Sequence, residues 1–450
     1  MESGTVRRTV VRRYVRWPGV LAMVVLAGSL AAPALTRAAG VSAGGTSVGG
    51  PAAAASPASA ASPVSQASPA WVRTWQASVQ PPLAADTILA SGVDEATVRL
   101  RLHASVGGTS MRLTLTNRFG LRRLEVVAVS VALPEQVTGS SAAAQPGTVR
   151  PLTFAGLAGT SIPAGAVAVS DPLPFDVPAH GDVLVSVAYG GPVMPLSGHQ
   201  TATSTGWLSR AGDHTLDVDG SAYVRSFTAW PTVAALDVVP ANGADVPGLV
   251  AFGDSITSGA RSSRDRNRRW PDALADMLPG VAVANAGISG NRVVATLPRA
   301  GDSAVDRLDR DVLDVPGVSV VVVAEGVNDV AHDTDAAAVV AGLRDIGERS
   351  RTRGLAVVLA TVTPFEGRKT WSPERERRRT AVNTWIRTRA VTEGAADVVV
   401  DLDAAVRDPA HPSRLADAFN SGDDIHLSDA GYAVIAATVE PAVRMLLPQA

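Results

Sequence analysis

The run Gly248-Leu249-Val250-Ala251-Phe252 leads directly into Gly253-Asp254-Ser255-Ile256. A short, continuous apolar run of this kind is typical of a strand that is buried on both faces of a parallel sheet. A residue that follows such a strand lies at the strand's carboxyl end, where open α/β sheets bind their ligands. The stretch therefore predicts an α/β domain in which Ser255 projects from the edge of the sheet, although a serine here also fits a turn or a helix N-cap.

The segments after this stretch alternate between strand-like and helix-like patterns. Apolar runs at 281–285, 318–324, 355–362 and 397–401 indicate strands, and 335–349 indicates a helix. Ser372 and Ser428 are typical N-caps, which predicts helices that run to about residues 391 and 447. This alternation predicts a mostly parallel sheet with helices on both faces.

The preceding stretch, 71–240, has a different pattern. Residues 97–102 and 111–116 alternate apolar side chains with Thr and Arg, and clusters of Gly, Pro, Asn and Asp separate these runs. We expect an all-β accessory domain of the sandwich or jelly-roll type, with one face of each sheet in water. Its aromatic residues fit either a sugar-stacking surface or the core, and core packing is the more ordinary use: Trp207, Tyr223, Phe227 and Trp230.

The first seventy residues predict export. Five arginines between residues 7 and 16 precede an apolar run at 20–30 and then small residues, which is the pattern of a secretory signal peptide over 1–38. The apolar run is too short to span a bilayer comfortably, and Arg12-Arg13 leaves the Sec and twin-arginine routes open. The Ala, Ser, Pro and Gly of 39–70 predict a disordered linker.

Composition excludes several classes of function. The 450-residue chain is 46% hydrophobic, enough for two domains with cores, and it has no cysteine, which removes disulfides, thiolate nucleophiles and Cys-based zinc sites. Loss of 1–38 removes six arginines and one glutamate, so the formal net charge goes from −2 to −7. Without a basic stripe that carries interleaved aromatics, we expect no nucleic-acid partner.

The chemistry depends on a second motif near the C-terminus, Asp423-Asp424-Ile425-His426. A serine hydroxyl is a weak nucleophile at neutral pH and needs a base beside it, and histidine needs a carboxylate to hold its tautomer. Two alternatives to this pairing stay open: Asp329 and His332 form another Asp-x-x-His, and Asp424 is a possible orienting acid. The other Gly-Asp-Ser, which ends at Ser303, follows no apolar strand, and we expect a loop there.

Two further segments complete a set of four blocks, namely Asn285-Ala286-Gly287-Ile288-Ser289-Gly290-Asn291 and Gly326-Val327-Asn328-Asp329. Residues 249–447 carry the blocks in the order found in the SGNH hydrolases, also called the GDSL esterase/lipase family, and the chain resembles this family. The segments 268–271, 285–291, 325–329 and 363–367 resemble a secreted, two-domain actinobacterial branch that has been grouped with xylan-associated esterases.

The resemblance implies a flavodoxin-like three-layer domain over 247–450 and a role for each block. Ser255 is then the nucleophile, His426 the general base and Asp423 the acid that orients it. The oxyanion hole consists of the backbone N–H groups of Ser255 and Gly290 and the side-chain amide of Asn328. Gly287 is a rival to Gly290, since either glycine permits close backbone approach. The family needs no cofactor, and the consecutive Asp423, Asp424 and His426 make a poor metal ligand set.

These observations predict a secreted serine esterase that forms an acyl-enzyme on small acyl groups of a carbohydrate. A lipase or lysophospholipase is the main enzymatic alternative. A non-catalytic polysaccharide-binding protein is the alternative of another class, and the β-domain would then contact polysaccharide or the cell wall. We expect no stable membrane span once 1–38 is removed.

Overall fold

The computed structural model describes residues 70–82, 87–136, 140–241 and 245–447. The predicted signal peptide at 1–38 and nearly all of the predicted linker at 39–70 lie outside these residues. Among the helices of the described residues, none has the length and apolar character needed to cross a membrane.

Strands dominate the first part of the described chain, and strands alternate with helices in the second. The strands are β1 Val72–Gln76, β2 Ala96–Ala104, β3 Gly108–Thr116, β4 Leu124–Ala132, β5 Arg150–Leu152, β6 Thr160–Ile162, β7 Val167–Val169, β8 Leu173–Val177, β9 Gly181–Tyr189, β10 Gly198–His199, β11 Gly206–Ala211, β12 Tyr223–Phe227, β13 Trp230–Pro231, β14 Val233–Val239, β15 Gly248–Gly253, β16 Ala282–Gly287, β17 Val318–Ala324, β18 Ala356–Ala360 and β19 Val398–Val400. The α-helices are α1 Ile88–Ser91, α2 Ser255–Ser258, α3 Trp270–Met277, α4 Ala304–Leu308, α5 Val327–Val330, α6 Ala336–Thr352, α7 Pro373–Arg389, α8 Leu402–Val406 and α9 Asp429–Leu446.

The C-terminal region contains a five-stranded parallel sheet in the order β16-β15-β17-β18-β19. Counted from β15, this is the order 2-1-3-4-5 of flavodoxin-like sheets. β15 pairs with β16 on one side and β17 on the other, so its carboxyl end lies at the switch point of the sheet. The prediction of an α/β domain with a parallel sheet is confirmed, and the serine turn lies where such sheets place their ligands.

The predicted helix starts in this region are confirmed. Ser372 accepts a hydrogen bond from the N–H of Arg375, and Ser428 accepts one from the N–H of Gly431. The strand predicted over 355–362 is shorter, because the N–H of Val362 donates to Asn383 Oδ1 at 2.7 Å instead of to a neighbouring strand.

The N-terminal region is antiparallel and β-rich, as predicted. One sheet has the order β1-β14-β3-β7 with β8 also on β3, and another has the order β12-β11-β2-β9-β4-β5 with β6 also on β4. Both sheets contribute to one apolar core, in which Leu100 of β2 and Leu113 of β3 are fully buried. The prediction that aromatic residues pack inside is confirmed for Trp207, Tyr223 and Trp230.

The expectation of one wet face per sheet is right for β3 and wrong for β2. Along β3, Arg112 and Thr114 are half-buried and alternate with buried apolar residues. Along β2, Thr97, Arg99 and Arg101 are buried on the face that was predicted to be wet. The reason is a small second core that covers this face and includes Ala142, Trp207 and Tyr223.

Arg99 shows how a charged side chain is accommodated beneath this cover. Its guanidinium donates to Ser186 Oγ at 2.8 Å, Ala142 O at 2.7 Å and Asp217 O at 2.8 Å, and it lies 4.3 Å from the centre of the Tyr223 ring. Because these acceptors replace water, burial of the charge is tolerated.

The β-rich and α/β regions belong to the same compact unit and contact one another closely. The N–H of Arg73 donates to Pro316 O at 3.2 Å, and the N–H of Val283 donates to Ser105 Oγ at 2.9 Å. The second bond ties β16 of the parallel sheet to the β-rich region. The region is therefore attached next to the strand that precedes the Gly287–Gly290 segment.

Candidate active site

The turn after β15 places Ser255 at the start of a helix. Asp254 is the N-cap of α2, and its Oδ1 accepts a hydrogen bond from the N–H of Ile256 at 2.8 Å, as expected for this turn. Ser255 is the first residue of α2, so its own N–H has no acceptor within the helix. Both the hydroxyl and the backbone N–H of Ser255 are thus available for chemistry.

A short loop before α9 holds His426. The backbone pairs Asn420 with Leu427, and the side chain of Asp423 accepts the backbone N–H of His426 at 2.9 Å. Tyr432 of α9 donates from its hydroxyl to Ala260 O at 2.6 Å, next to the end of α2. The C-terminal helix therefore fixes the histidine loop against the serine turn.

The structure brings together Ser255, His426 and Asp423, which are as much as 171 residues apart in the chain. His426 Nε2 lies 2.9 Å from Ser255 Oγ. On its other side, His426 Nδ1 lies 2.7 Å from Asp423 Oδ2. These contacts have the geometry of a nucleophile, a base that takes its proton and a carboxylate that fixes the base's tautomer.

The surroundings favour the protonation states that this arrangement requires. Burial lowers the pKa of His426 and outweighs the opposing effect of Asp423, and the positive charges of Arg368 and Arg261 lower it further. Burial opposes ionisation of Asp423, but its hydrogen bonds with His426 prevail and hold its pKa at about 2. Near neutral pH the imidazole is therefore uncharged and able to accept a proton, beside an ionised carboxylate.

The alternatives left open by the sequence lie elsewhere. Asp424 has a φ of 63° and its Oδ1 accepts from Asn420 Nδ2 at 2.8 Å, while His332 Nδ1 lies 2.9 Å from Asn328 O. Ser303 lies in a loop, as predicted, and is the N-cap of α4, where its hydroxyl accepts the N–H of Asp306.

The two glycines of the second block differ in what their backbone does. Gly287 donates its N–H to Asn285 Oδ1 at 2.9 Å, and a Cβ on Gly287 would lie 2.2 Å from the N atom of Ser258. Gly290 has a φ of 78°, and its N–H makes no hydrogen bond within the described part of the chain. Gly287 thus permits close packing of β16 on α2, and Gly290 is the glycine with a donor to offer.

Asn328 lies beside the serine turn. Its Nδ2 donates to Asp254 Oδ2 at 3.4 Å, so the third block is linked directly to the N-cap of the serine helix. An amide nitrogen carries two hydrogens, and the second remains available for a developing oxyanion.

Three buried carboxyl groups lie behind this turn. Burial raises the pKa of Asp254 to about 7 and that of Asp329 to about 6, and it raises the pKa of Glu325 well above its usual value. Both carboxyl oxygens of Glu325 lack a hydrogen-bond partner among the described residues. A buried acid without a partner is most stable when neutral, so this group limits negative charge next to the nucleophile.

Arg307 is a positioning residue that sequence reasoning missed. Its fully buried guanidinium donates to Gly253 O at 2.9 Å, Ala286 O at 2.7 Å and Asn291 Oδ1 at 2.9 Å. It therefore joins the ends of β15 and β16 to the Gly290 loop. Its neighbours in sequence are charged residues, which are typical of a solvated helix face, so no local signal marks it.

Thr201 is another residue that sequence reasoning missed. This residue of the β-rich region has its Oγ1 2.6 Å from Ser289 Oγ, and Ser289 Oγ in turn lies 3.4 Å from Ser258 Oγ. The contact thus reaches the residue before Gly290 and the last residue of α2.

Comparison with known proteins assigns the α/β region to a hydrolase family. Residues 251–434 match the model of the GDSL-like Lipase/Acylhydrolase family. They form an SGNH hydrolase domain. The chain is a carboxylic ester hydrolase, and the serine turn, Gly290, Asn328 and the histidine loop all lie within the matched residues.

Solved structures similar to the SGNH domain cover a little under half of the chain. They include a GDSL-like lipase from Bacteroides thetaiotaomicron (19% identity, TM-score 0.36, 44% of this chain and 89% of that one). A carbohydrate acetylesterase from Sinorhizobium meliloti (15% identity, TM-score 0.38) and an aryl esterase from M. smegmatis (16% identity, TM-score 0.38) each match over 45% of this chain and 100% of their own. No curated protein sequence matches the chain.

Proposed function

We propose that this protein is a secreted serine esterase that removes small acyl groups, such as acetate, from carbohydrate. The observation that carries the catalytic part is the chain of contacts from Ser255 Oγ to His426 Nε2 at 2.9 Å and from His426 Nδ1 to Asp423 Oδ2 at 2.7 Å.

In the proposed reaction, Ser255 Oγ attacks the ester carbonyl carbon while His426 Nε2 takes the hydroxyl proton. The tetrahedral intermediate places a negative charge on the former carbonyl oxygen, and the N–H groups of Ser255 and Gly290 and the amide of Asn328 stabilise it. His426 then donates its proton to the leaving alcohol, which leaves an acyl-enzyme. Water, deprotonated by His426, releases the carboxylic acid and regenerates Ser255.

Two observations favour a small, water-soluble acyl substrate over a lipid. Among residues 245–447, the exposed large apolar side chains are Met277 and Met445, at the neighbouring ends of α3 and α9, and Val294 and Val391, which lie in two other segments. Enzymes that dock on lipid expose a contiguous apolar surface, and isolated exposed residues do not provide one. Carbohydrate as the alcohol is supported by the resemblance of the segments around the four blocks to xylan-associated esterases.

The proposed location outside the cell rests on the sequence of residues 1–38, with its basic start, short apolar run and small residues. A polymer too large to enter a cell requires an enzyme of this kind outside it.

The test is a series of nitrophenyl esters of increasing acyl length, measured beside acetylated xylan, with the full-length protein. We expect kcat/KM to be highest for acetate and acetate to be released from the polymer. Ser255→Ala should lower kcat about 10⁵-fold, to background. Ser303→Ala, in the other Gly-Asp-Ser, is the matched control and should keep full activity.

The same assay tests the base. A base must be unprotonated, so kcat/KM is lost as the pH falls through the pKa of His426. Because burial and two arginines lower that pKa, the midpoint should lie below the ordinary value of about 6.5. Retention of turnover by Ser255→Ala, or a rate independent of pH from 4 to 8, would contradict the mechanism.

A further inference from the structure

The loop between α2 and α3 is unusually basic. Residues 261–269 read Arg-Ser-Ser-Arg-Asp-Arg-Asn-Arg-Arg, with five arginines in nine residues. Arg269 is buried and pairs with Asp272, but Arg264, Arg266 and Arg268 are exposed. These three form no ion pair or hydrogen bond within the described chain, whereas most other arginines of the protein do. We call residues 261–268 the arginine loop.

The arginine loop borders the catalytic residues. Arg261 Nε lies 3.3 Å from Asp423 Oδ2, the carboxylate that contacts His426, and the N–H of Ser263 donates to Asp429 Oδ1 at 2.8 Å. Arg368 lies on the same carboxylate, with its Nη1 4.0 Å from Asp423 Oδ2.

The β-rich region holds the middle of the loop. Asp265 accepts hydrogen bonds from the N–H and the hydroxyl of Thr205 at 2.6 and 2.7 Å, and its own N–H donates to Thr203 O at 3.0 Å. Asp265 has a φ of 57°, a conformation that a non-glycine residue adopts only when its surroundings hold it there. The loop is therefore held against Asp423 at its start and against the β-rich region at its middle.

The positive charge at this edge is not balanced locally. The basic groups of the arginine loop, Arg368 and the exposed Lys369 number six, and the nearby acids Asp265, Asp423, Asp424 and Asp429 number four. The chain as a whole has the opposite sign, with 40 basic and 42 acidic residues. An excess of cations at the mouth of a site in a net-negative protein attracts anions to that site.

A further guanidinium belongs to the segment that follows Gly290. Arg292 is two residues after Gly290, and its guanidinium forms no ion pair or hydrogen bond among the residues described; its Nε is buried without a partner. A guanidinium left without an acceptor in a half-buried position has donors to offer to a planar carboxylate.

The geometry points to an ester substrate that carries its own negative charge: an acylated carbohydrate whose neighbouring sugar bears a carboxylate, as in a uronic acid. This inference rests on the proposed function and adds the charge of the alcohol part of the substrate. The arginine loop would attract the polymer, and Arg292 would contact a carboxylate close to the scissile ester.

The experiment compares two acetylated polymers with equal degrees of acetylation, polygalacturonate and neutral amylose, with acetate release as the readout. We expect kcat/KM to be about tenfold higher for the anionic polymer at low salt. This advantage should fall to about twofold at 0.3 M NaCl, because salt screens exposed charges. Arg264→Gln/Arg266→Gln should lower the ratio of the two kcat/KM values about fivefold. Arg292→Gln should also lower this ratio, and its effect should differ less between low salt and 0.3 M NaCl than the effect of the double variant.

Arg351→Gln/Arg353→Gln is the matched control. It removes two charges from the end of α6, which precedes β18 and so lies at the sheet edge opposite the site. The control should leave the ratio unchanged. An equal fall in the control, or no preference for the anionic polymer, would overturn the inference.

Two further outcomes separate this inference from its alternatives. If the protein hydrolyses neutral nitrophenyl acetate but shows no preference between the two polymers, the proposed anionic substrate is wrong and the proposed esterase activity stands. If it hydrolyses no ester, the proposed function itself is wrong. If the protein binds phosphatidylglycerol vesicles and hydrolyses anionic lysolipid faster than the anionic polymer, the arginine loop serves a lipid surface and the proposed carbohydrate substrate is wrong.

Discussion

A buried carboxyl group of the β-rich region and the buried carboxyl groups beside the serine turn are accommodated in opposite ways. In the β-rich region, Asp237 is 2% exposed and accepts hydrogen bonds from Arg73 at 2.7 Å and Arg112 at 3.0 Å. At the edge of the parallel sheet, Asp254 and Glu325 are equally buried and form no ion pair among the described residues.

The difference indicates what each set of acids does. A buried acid between two arginines fixes the packing of strands, and its charge is balanced where it lies. Unpaired buried acids lower stability unless they are neutral, and they are expected where chemistry needs them. Beside Ser255 they keep negative charge away from an oxygen that becomes an oxyanion.

The largest effect expected from this comparison is on activity, at Asp423, the ionised carboxylate that contacts His426. Asp423→Asn removes the acceptor that fixes the tautomer of His426, and kcat should fall about 10⁴-fold with little change in KM. Asp424→Asn, one residue away, is the matched control and should lose less than about threefold, because Asp424 bonds to Asn420. Equal losses in the two variants would show that the acid has been wrongly assigned.

The next effect is on stability, in the β-rich region. Asp237→Ala leaves Arg73 and Arg112 without their shared partner, and the free energy of unfolding should fall by about 3 kcal/mol. Since both arginines are partly exposed and can turn to water, the loss should not reach the upper end of the range for buried pairs. Chemical denaturation measures it, and kcat of the folded variant should stay within about twofold. A loss of kcat without a loss of stability would contradict the contrast between the regions.

The parts of this contrast that are local could be predicted from the sequence. The apolar runs that became β15 and β17 are unambiguous because a strand buried on both faces has no polar positions. Ser428 was found because an N-cap has a short-range signature, whereas the resemblance to the SGNH hydrolases selected Asp423 and His426 over Asp424 and His332.

The parts that depend on contacts between distant segments could not be predicted. Arg99 and Arg307 look like solvated residues, since an arginine in an alternating or charged run is usually exposed. Each is buried because remote backbone carbonyls happen to surround it: Ala142 and Asp217 for Arg99, and Gly253 for Arg307. No pattern within ten residues of either arginine records those acceptors.

The unpaired acids of the site predict a pH dependence of stability. Burial raises the folded-state pKa of Asp329 to about 6 and that of Asp254 to about 7, and it raises the pKa of Glu325 well above its usual value. A raised pKa of an acid stabilises the fold at pH values below about 4, and this stability is lost as the pH rises through the folded-state pKa. The slope is about 1.4 kcal/mol per pH unit for each proton released on unfolding.

Gln cannot ionise at position 325, so the free energy of unfolding of Glu325→Gln should fall less steeply between pH 5 and 7 than that of the wild type. Glu374→Gln, on the exposed start of α7, is the matched control and should keep the wild-type slope. If both variants lose stability with pH as the wild type does, Glu325 is not a source of the dependence.

The smallest expected effect is at the contact through which the β-rich region reaches the site. Thr201→Val removes the hydroxyl that lies 2.6 Å from Ser289 Oγ, and the loop that carries Gly290 should lose some of its fixed position. The loss of one hydrogen bond, about 1 kcal/mol, corresponds to a fall in kcat of about fivefold. KM for a small neutral ester should stay unchanged, because the N–H of Gly290 acts on the transition state rather than on the bound substrate.

Thr201→Ser keeps the hydroxyl and should restore kcat, and Thr153→Val, at a threonine that bonds to Asp171 elsewhere in the β-rich region, should not lower it. If Thr201→Val changed only the melting temperature, the β-rich region would support the fold alone. A fall in kcat at an unchanged melting temperature would instead mean that part of the oxyanion geometry is set from outside the SGNH domain. In that case the activity of the domain could not be understood from its four blocks alone.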